Sequence, residues 1–199
     1  MTATCDFDVV VVGAGPVGLV AALLLAKQGI SVLLLEKERS IFPLPRAAHI
    51  DVASFRESES WYKSHFGFLT SDEIELEPGV SIGAFMRLNI GNTATDHHSL
   101  FLLEAPGDAS FNHAAFEVSD VDDLMVGHDH LRQNGREHSW GVGRHILGSQ
   151  VFDYWKDPNG FMLEHFTDGD LFNESFGSHK RSPADLLGTH WGPEGMPGQ

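Results

Sequence analysis

The sequence predicts an α+β fold of two paired βαβββ modules, preceded by a short Rossmann-like βαβ fragment. The order strand, helix and three strands occurs twice after residue 50, with a period of about 60 residues. His49 opens the first half and His113 opens the second, while the similar stretches 101–104 (FLLE) and 161–164 (FMLE) end them. A glycine-rich turn between two apolar runs near the N-terminus predicts the fragment.

The chain divides into three predicted parts. Residues 1–48 form a truncated dinucleotide-binding βαβ fragment. Residues 49–170 form the paired modules, at about 49–105 and about 111–170, and residues 171–199 form a C-terminal tail rich in Gly, Pro and Ser. Paired βαβββ modules form a half-open barrel around an interior cavity, where we expect the functional residues.

The composition excludes several classes of function. The net charge of −15, from 13 basic and 28 acidic residues, argues against nucleic acid and against an anionic membrane surface as partners. The single cysteine, Cys5, excludes an intramolecular disulfide and a cysteine-based metal site. Glycines and a proline interrupt the apolar run 9–25, and no basic segment precedes it. We therefore expect a cytoplasmic protein without a membrane span.

The first apolar run, residues 8–12, lacks alternation and predicts a buried parallel strand. Gly13, Gly15 and Gly18 follow it in the pattern G-x-G-x-x-G, and a helical segment and a second strand lead to Glu36. In such motifs the glycines let the backbone approach a pyrophosphate, and the acid at the end of the second strand binds ribose hydroxyls.

Residues 6–50 resemble the N-terminus of a flavin-dependent aromatic hydroxylase of the 3-(3-hydroxyphenyl)propionate hydroxylase kind. The resemblance rests on residues 9–19, 35–37 and 45–50. It implies four contacts with FAD, from Gly13, Gly15, Gly18 and Glu36. However, a βαβ unit of this size offers no pocket for the isoalloxazine and cannot cover both faces of its sheet. We therefore do not expect bound FAD, while an FAD-binding fragment of an aromatic monooxygenase stays open as an alternative.

A hairpin further along the chain carries a carboxylate in an apolar run. Residues 151–155 are rich in β-formers, 157–160 have the composition of a turn, and 161–166 form a second strand. Glu164 lies between Leu163 and His165. A carboxylate in that position must be solvated, paired or bound to a metal. On local sequence alone, a strand residue that faces water is an equal alternative.

Residues from about 49 to 197 resemble the catalytic domain of a type I extradiol dioxygenase, in the vicinal oxygen chelate superfamily. The matching motifs are residues 61–62, 66–68, 97–100, 112–118, 143–145, 154–160, Glu164 and 191–193. The resemblance implies a mononuclear Fe(II), or Mn(II), held by two histidines and one carboxylate. It also implies a catechol-type substrate, with O₂ as co-substrate, in the catabolism of aromatic compounds.

By the same resemblance, His113 and Glu164 are metal ligands, and His49 is the third. The position that matches the family's spacing for this third ligand is Ala47, and His49 lies two residues later. Because strand side chains alternate with a period of two, His49 still faces the same side. The alternative for His113 is a satisfied core histidine. A recombined, catalytically dead protein with a vestigial dinucleotide motif is the alternative for the chain.

The resemblance also assigns residues around the metal. His98 matches the histidine that acts as acid and base near O₂, and His145 and Tyr154 match residues that hydrogen-bond the substrate oxygens or the ring-opening intermediate. We expect His97 to be exposed. An open sheet edge would favour a homo-oligomer. The remaining histidines match no motif, and we expect them at the surface or in packing: His65, His128, His130, His138, His165, His179 and His190.

Overall fold

The computed structural model describes residues 6–14, 16–36 and 46–193. The chain divides into two compact units, with the division between Pro43 and Leu44. The first strand of the second unit begins at Arg46. The predicted division after residue 48 therefore falls within that strand.

The first unit is a βαβ arrangement of β1 (Val9–Val12), α1 (Pro16–Lys27) and β2 (Val32–Leu35), in which the two strands pair in parallel. The expectation that these strands are buried is wrong, because Val12 is 82% exposed and side chains alternate between half-buried and exposed along β1. A single helix can cover only one face of a two-stranded sheet, so the other face of the described strands stays open.

The second unit is α+β, as predicted. Its strands and helices, in chain order, are β3 (Arg46–Val52), α2 (Phe55–Phe66), β4 (Leu69–Glu77), β5 (Val80–Arg87), β6 (Thr95–Asp96), β7 (Leu100–Glu104), β8 (Ser110–Glu117), α3 (Val121–Gln133), β9 (His138–His145), β10 (Val151–Lys156), β11 (Met162–Thr167), β12 (Leu171–Phe172), β13 (His179–Arg181), α4 (Pro183–Leu187) and β14 (Thr189–Trp191). The two βαβββ modules are β3-α2-β4-β5-β7 and β8-α3-β9-β10-β11. A 3-10 turn at Glu174–Phe176 precedes β13.

One large sheet joins the two modules. Its strand order is β13-β4-β5-β7-β3-β8-β11-β10-β9-β14, while β12 and β6 form a separate pair. The first strands of the modules, β3 and β8, pair antiparallel at the centre, and β7 and β11 run parallel to them on either side. His49 lies directly opposite His113 in this central pair. The module repeat therefore places both predicted histidines at the middle of the sheet.

The strand register of the two modules does not follow the similarity between residues 101–104 and 161–164. It is offset from that similarity by one residue. His49 lies opposite Phe101, whereas the equivalent His113 lies opposite Met162. Leu103 of the first module therefore occupies the position of Glu164 in the second. The match of Glu104 with Glu164 that the sequence indicates is wrong, because a shift of one residue turns a strand side chain to the opposite face.

Glu104 instead serves the first helix. Its Oε2 accepts a hydrogen bond of 2.8 Å from the Phe55 backbone N–H, where α2 begins. The neighbouring N-cap residue Ser54 makes no side-chain cap hydrogen bond, so Glu104 satisfies an end that is otherwise left to water. At the other end, Gly67 adopts φ of +70° and stops the helix, as predicted.

The two helices cover the outer face of the sheet, and the inner face lines a cavity. An apolar cluster lies between α2 and the strands, and its buried members are Val52, Phe55, Ala84, Met86, Leu100 and Leu102. In α3 the Asp120 side chain caps the Asp123 N–H at 2.8 Å. None of the described helices combines the length and apolar character that crossing a lipid bilayer requires.

Candidate active site

A cavity of about 820 Å³, counted with the space at its open mouth, lies on the inner face of the second unit. Its wall comes from the central strands of both modules and from α4. All six metal-ligating and catalytic residues predicted from the sequence line it, namely His49, His98, His113, His145, Tyr154 and Glu164. The structure thus brings together side chains that are separated by up to 115 positions, the difference between residues 164 and 49.

Glu164 is the most buried acid of this cavity, at 2% exposure. Its Oε2 lies 3.3 Å from His113 Nε2, and its Oε1 lies 3.6 Å from His145 Nε2. Burial by itself would raise the pKa of the Glu164 carboxyl, but His113 and His145 hold that pKa well below its usual range. Oε1 is buried without a hydrogen-bond partner. The alternative of a water-facing strand carboxylate does not fit this burial.

The orientation of His113 is set by a chain of hydrogen bonds. Asn112 donates through Nδ2 to Asp51 Oδ2 at 3.3 Å, which turns its Oδ1 towards His113 Nδ1 at 3.0 Å. His113 must then carry a hydrogen on Nδ1, so in the neutral ring Nε2 is a lone pair. A lone pair that faces Glu164 Oε2 is favourable only with a cation between them, either a proton or a metal ion.

His49 stands beside His113 and is turned partly away from Glu164. The two rings are 5.2 Å apart, edge to face, while His49 Nε2 lies 3.2 Å from Asp51 Oδ1. This nitrogen is buried and makes no hydrogen bond. Burial, followed by the charge of His113, lowers the pKa of His49 to about 3. The ring is therefore neutral at physiological pH, and its Nε2 atom remains available to bind a metal ion at the cavity.

A buried relay supports His98. His97 Nε2 lies 2.8 Å from Asp72 Oδ2, and its Nδ1 lies 3.1 Å from His98 Nδ1. Arg181 holds the other oxygen of Asp72 through Nε at 2.8 Å. If neutral His97 donates to Asp72, it accepts from His98 Nδ1–H, which leaves His98 Nε2 as a base. Burial and the nearby His97 lower the pKa of His98 well below its usual value.

The expectation that His97 is exposed is wrong, since this side chain is only 1% exposed. Residues 97–99 lie between β6 and β7, outside any strand. Alternation of faces therefore does not separate His97 from His98. The His97 backbone N–H donates to Asp170 at 2.8 Å, and the Phe172 ring lies 5.7 Å from its imidazole. The segment after β11 thus covers a residue that the sequence pattern leaves open.

Tyr154 and His145 form the opposite wall. Tyr154 Oη lies 3.2 Å from His145 Nε2, and Tyr154 faces Glu164 directly across the β10–β11 hairpin. Burial, together with the Glu164 charge, raises the pKa of Tyr154 well above its usual value, so the phenol stays a hydrogen-bond donor. Trp140 packs beside both rings, at 5.4 Å from each.

Three residues of the site escaped prediction from the sequence. Asn112 could have been found from its place next to a candidate ligand, because metal-binding imidazoles commonly use a second hydrogen bond to set their orientation. Asp72 and Trp140 carry no local signal. Asp72 joins the site where β13 pairs with β4, and Trp140 joins it through the pairing of β9 with β10.

The dinucleotide fingerprint lies in the first unit and is described there only in part. Gly13 has φ of +100°, and a Cβ on Gly18 would come within 1.9 Å of the Gly13 carbonyl oxygen, so the turn requires glycine at both positions. Glu36 accepts a hydrogen bond of 2.7 Å from the Ala14 N–H. Gly15 lies outside the described residues.

Two family models match the chain. The model described as the glyoxalase/bleomycin resistance protein/dioxygenase superfamily matches residues 46–165. The model described as an FAD binding domain matches residues 6–59. The two resemblances that the sequence predicted are thereby confirmed, and the matches overlap in residues 46–59, where β3 and α2 begin the second unit.

Curated relatives differ for the two parts. "Metapyrocatechase 2" of Cupriavidus necator is 29% identical over 143 residues, which cover 71% of this chain and 42% of the relative. A "3-(3-hydroxy-phenyl)propionate/3-hydroxycinnamic acid hydroxylase" of Mycolicibacterium smegmatis is 43% identical over 53 residues, or 27% of this chain and 9% of the relative. The chain thus spans less than half the length of either relative.

A solved structure supports the fold. The Mn(II)-bound glyoxalase from Novosphingobium aromaticivorans matches with a TM-score of 0.66 at 19% sequence identity. The match covers 94% of this chain and 72% of that one. This likeness is in the arrangement of strands and helices, which agrees with the paired modules.

Proposed function

The chain belongs to the glyoxalase/bleomycin resistance protein/dioxygenase superfamily, and we propose that it is an extradiol dioxygenase that uses Fe(II) to open a catechol-type ring with O₂. The observation that carries this proposal is a pair of buried atoms in one cavity. His49 Nε2 and Glu164 Oε1 have no hydrogen-bond partner there. Buried polar atoms are rarely left unpaired, and here their residue types are the ones that hold non-haem iron.

His113 completes the proposed ligand set. Its Nε2 lone pair faces Glu164 Oε2, and that arrangement favours a bound cation. Two neutral imidazoles and one carboxylate fit Fe(II), and Mn(II) is the alternative with the same ligands. Iron held there would bring the substrate diol and O₂ together and supply the electron transfer that O₂ needs. His49 must turn its ring from Asp51 towards the other two ligands for the set to close.

The proton transfers fall to side chains of this chain. We assign His98 as the base that takes a proton from a catechol hydroxyl and later returns it, because burial keeps its ring neutral. The Tyr154 hydroxyl stays protonated and orients a substrate oxygen together with His145. The overall reaction breaks the ring bond next to the diol and incorporates both atoms of O₂ into the product.

The test is catechol-dependent O₂ uptake by the full chain after anaerobic loading with Fe(II). We expect consumption of O₂ and a ring-opened product with absorption in the visible range. Glu164→Gln should abolish both, because it removes the anionic ligand. Glu77→Gln, the same change on an exposed position of β4, should leave them intact. If no simple catechol supports O₂ uptake at full iron occupancy, the proposal fails and the reading of a recombined, inactive protein stands.

FAD binding is a second candidate, and it concerns the first unit. It is supported by the close approach at Gly18, where only glycine fits, as in dinucleotide-binding turns. The test is titration of the purified chain with FAD, followed by flavin fluorescence. Quenching that Gly18→Ala removes would support it, while fluorescence equal to that of free FAD at all protein concentrations would end it.

A further inference from the structure

A second cluster of possible metal ligands lies on the outer face of the sheet. Asp153 of β10 is fully buried, and each of its carboxylate oxygens faces a different imidazole. His128 Nδ1 lies 3.1 Å from Oδ2, and His138 Nε2 lies 2.8 Å from Oδ1. One ligand atom from each of the three residues lies within 4.8 Å of the others. Because Asp153 precedes the cavity residue Tyr154 in a strand, it points away from the cavity.

The local structure is shaped to bring these three side chains together. His128 comes from α3, His138 from β9 and Asp153 from β10. A bulge in β9 pairs His138 with Trp155, while Trp140 pairs with Tyr154 on the cavity side. Without that extra residue, His138 and Trp140 would share a face. The bulge therefore turns His138 outwards, under α3, where Asp153 lies.

Among the described residues, no lysine or arginine side chain accompanies the buried Asp153 carboxylate. Among the described side chains, its polar contacts are with the two imidazoles and with the Trp155 indole N–H, which donates to Oδ2. No Lys or Arg side chain of the described residues lies at ion-pair distance from it. A buried carboxylate carries a large desolvation cost unless a cation accompanies it, and a metal ion bound by the two imidazoles would supply that cation.

Glu59, a buried acid of α2, differs from Asp153 in having cationic side chains beside it. Glu59 of α2 is also buried, but Lys63 lies 2.6 Å from it and Arg56 lies 3.1 Å from it. Two cationic side chains thus neutralise Glu59. At Asp153 the cations are replaced by two imidazoles whose nitrogens converge on the carboxylate. A neutral imidazole has a nitrogen lone pair that can bind a metal ion, which the side chains of Lys63 and Arg56 at Glu59 do not offer.

We propose that His128, His138 and Asp153 form a second metal site, which binds Zn²⁺ and fastens α3 to strands β9 and β10. Zn²⁺ takes imidazole nitrogen and carboxylate oxygen at about 2.0–2.2 Å, so tetrahedral ligand atoms lie about 3.3 Å apart. The imidazole nitrogens lie 3.1 Å from Oδ2 and 2.8 Å from Oδ1, and one ligand atom of each residue lies within 4.8 Å of the others, so small side-chain rotations bring one oxygen and both nitrogens to that spacing. Trp155 holds the ligating carboxylate from behind, as outer partners of metal ligands do.

The site is open to entry and to a fourth ligand. The His138 side chain is 34% exposed, so an ion can arrive from solvent and keep a water molecule. His165 lies directly across the hairpin from Asp153 on the same face, and its Nδ1 is buried without a hydrogen-bond partner among the described residues. The proposal does not rest on the proposed dioxygenase activity, since these ligands lie on the other face of the sheet.

The test must separate the two sites. The background is the full chain with two of the three proposed cavity ligands removed by His113→Gln and Glu164→Gln, stripped of metal and titrated with Zn²⁺ by calorimetry. We expect one equivalent to bind and the melting temperature to rise. Adding His138→Gln should remove the binding and the thermal shift. Adding His130→Gln, at an exposed position of α3, should change neither and so controls for adventitious binding to surface histidines.

A graded variant and a spectroscopic probe complete the test. Trp155→Phe removes the outer hydrogen bond but keeps an aromatic ring beside the two imidazoles, and it should weaken Zn²⁺ binding by about 10–100-fold. Co²⁺ in the same background should show visible ligand-field bands that His128→Gln abolishes. The proposal is overturned if the background binds no Zn²⁺, or if His138→Gln and His130→Gln weaken binding equally. Protonated imidazoles would then be the groups that compensate Asp153.

Discussion

His49 and His113 face each other across the central strand pair β3–β8, with ring centroids 5.2 Å apart and ring planes at 90°. They occupy equivalent positions in the two modules, yet their partners differ. His113 is oriented by Asn112 and faces Glu164, whereas His49 lies against Asp51. The two histidines thus occupy symmetric backbone positions but have different side-chain contacts. Substituting each of them tests whether both are metal ligands.

His49→Ala should reduce Fe(II) binding by more than the about 100-fold that loss of an outer partner can cost, because a ligand itself is removed. The measurement is iron stoichiometry after anaerobic loading and gel filtration. His130→Ala, at an exposed helix position, is the matched control. Equal iron content in the wild type and the His49 variant would show that His49 is not a ligand.

Tyr154→Phe should lower kcat about 10-fold while leaving iron stoichiometry unchanged. The reason is that the hydroxyl contacts His145 at 3.2 Å and is assigned to orient the substrate, and one hydrogen bond to a charged group is worth about 1.5–3 kcal/mol. Steady-state O₂ uptake measures the effect. The only other tyrosine, Tyr62, belongs to α2 and packs against the apolar cluster beneath that helix, so Tyr62→Phe should leave kcat unchanged. A similar loss of kcat in both variants would contradict this role.

The metal-free protein should lose stability as the pH falls below about 6.5. His49 is neutral in the folded state down to a pKa of about 3, whereas the unfolded residue takes up a proton near pH 6.5. The unfolded state therefore binds more protons between these values, and the loss is about 2 kcal/mol between pH 7 and pH 5. Urea unfolding at both pH values measures it. In His49→Gln this part of the pH dependence should disappear, and an unchanged slope would refute the assignment.

Glu104→Ala should lower the free energy of unfolding by about 0.5–2 kcal/mol, the usual cost of losing a helix cap. The carboxylate accepts from the first N–H of α2, which has no side-chain cap from Ser54. Urea denaturation with helical circular dichroism provides the measurement. Glu77→Ala, on an exposed strand position, should stay within about 0.5 kcal/mol of the wild type. If the two variants lost the same stability, Glu104 would not be a cap.

The parts of the fold that follow local rules could be predicted from the sequence. Gly67 and Gly135 mark the ends of α2 and α3, and both adopt positive φ in the structure. The hairpin turn at residues 157–160 forms because Asp157 accepts hydrogen bonds from the Asn159 and Phe161 N–H groups, both at 2.8 Å. Turn chemistry and hydrophobic period act over a few residues, so they are legible without the tertiary structure.

Side-chain direction could not be predicted wherever the backbone departs from simple alternation. A bulge turns His138 outwards, and the irregular segment after β6 buries His97. The register of β7 against β3 sends Glu104 to the helix side. Each of these depends on the exact count of residues in a strand or a connection. One residue more or less in a strand turns a side chain to the opposite face of the sheet, and sequence patterns do not specify the number of residues at a bulge or connection.

The same register divides the cavity by polarity. Leu103 stands where the second module has Glu164, and the first module adds Phe85 and Phe101, stacked at 4.0 Å. The carboxylate in the cavity wall is that of Glu164, which contacts His113 and His145, and all three residues belong to the second module. Under the proposed function, a flat ring that carries hydroxyls at one edge would enter with those hydroxyls towards Glu164 and its hydrophobic edge on the phenylalanines. The two-fold scaffold thus presents two unlike walls to whatever molecule occupies the cavity.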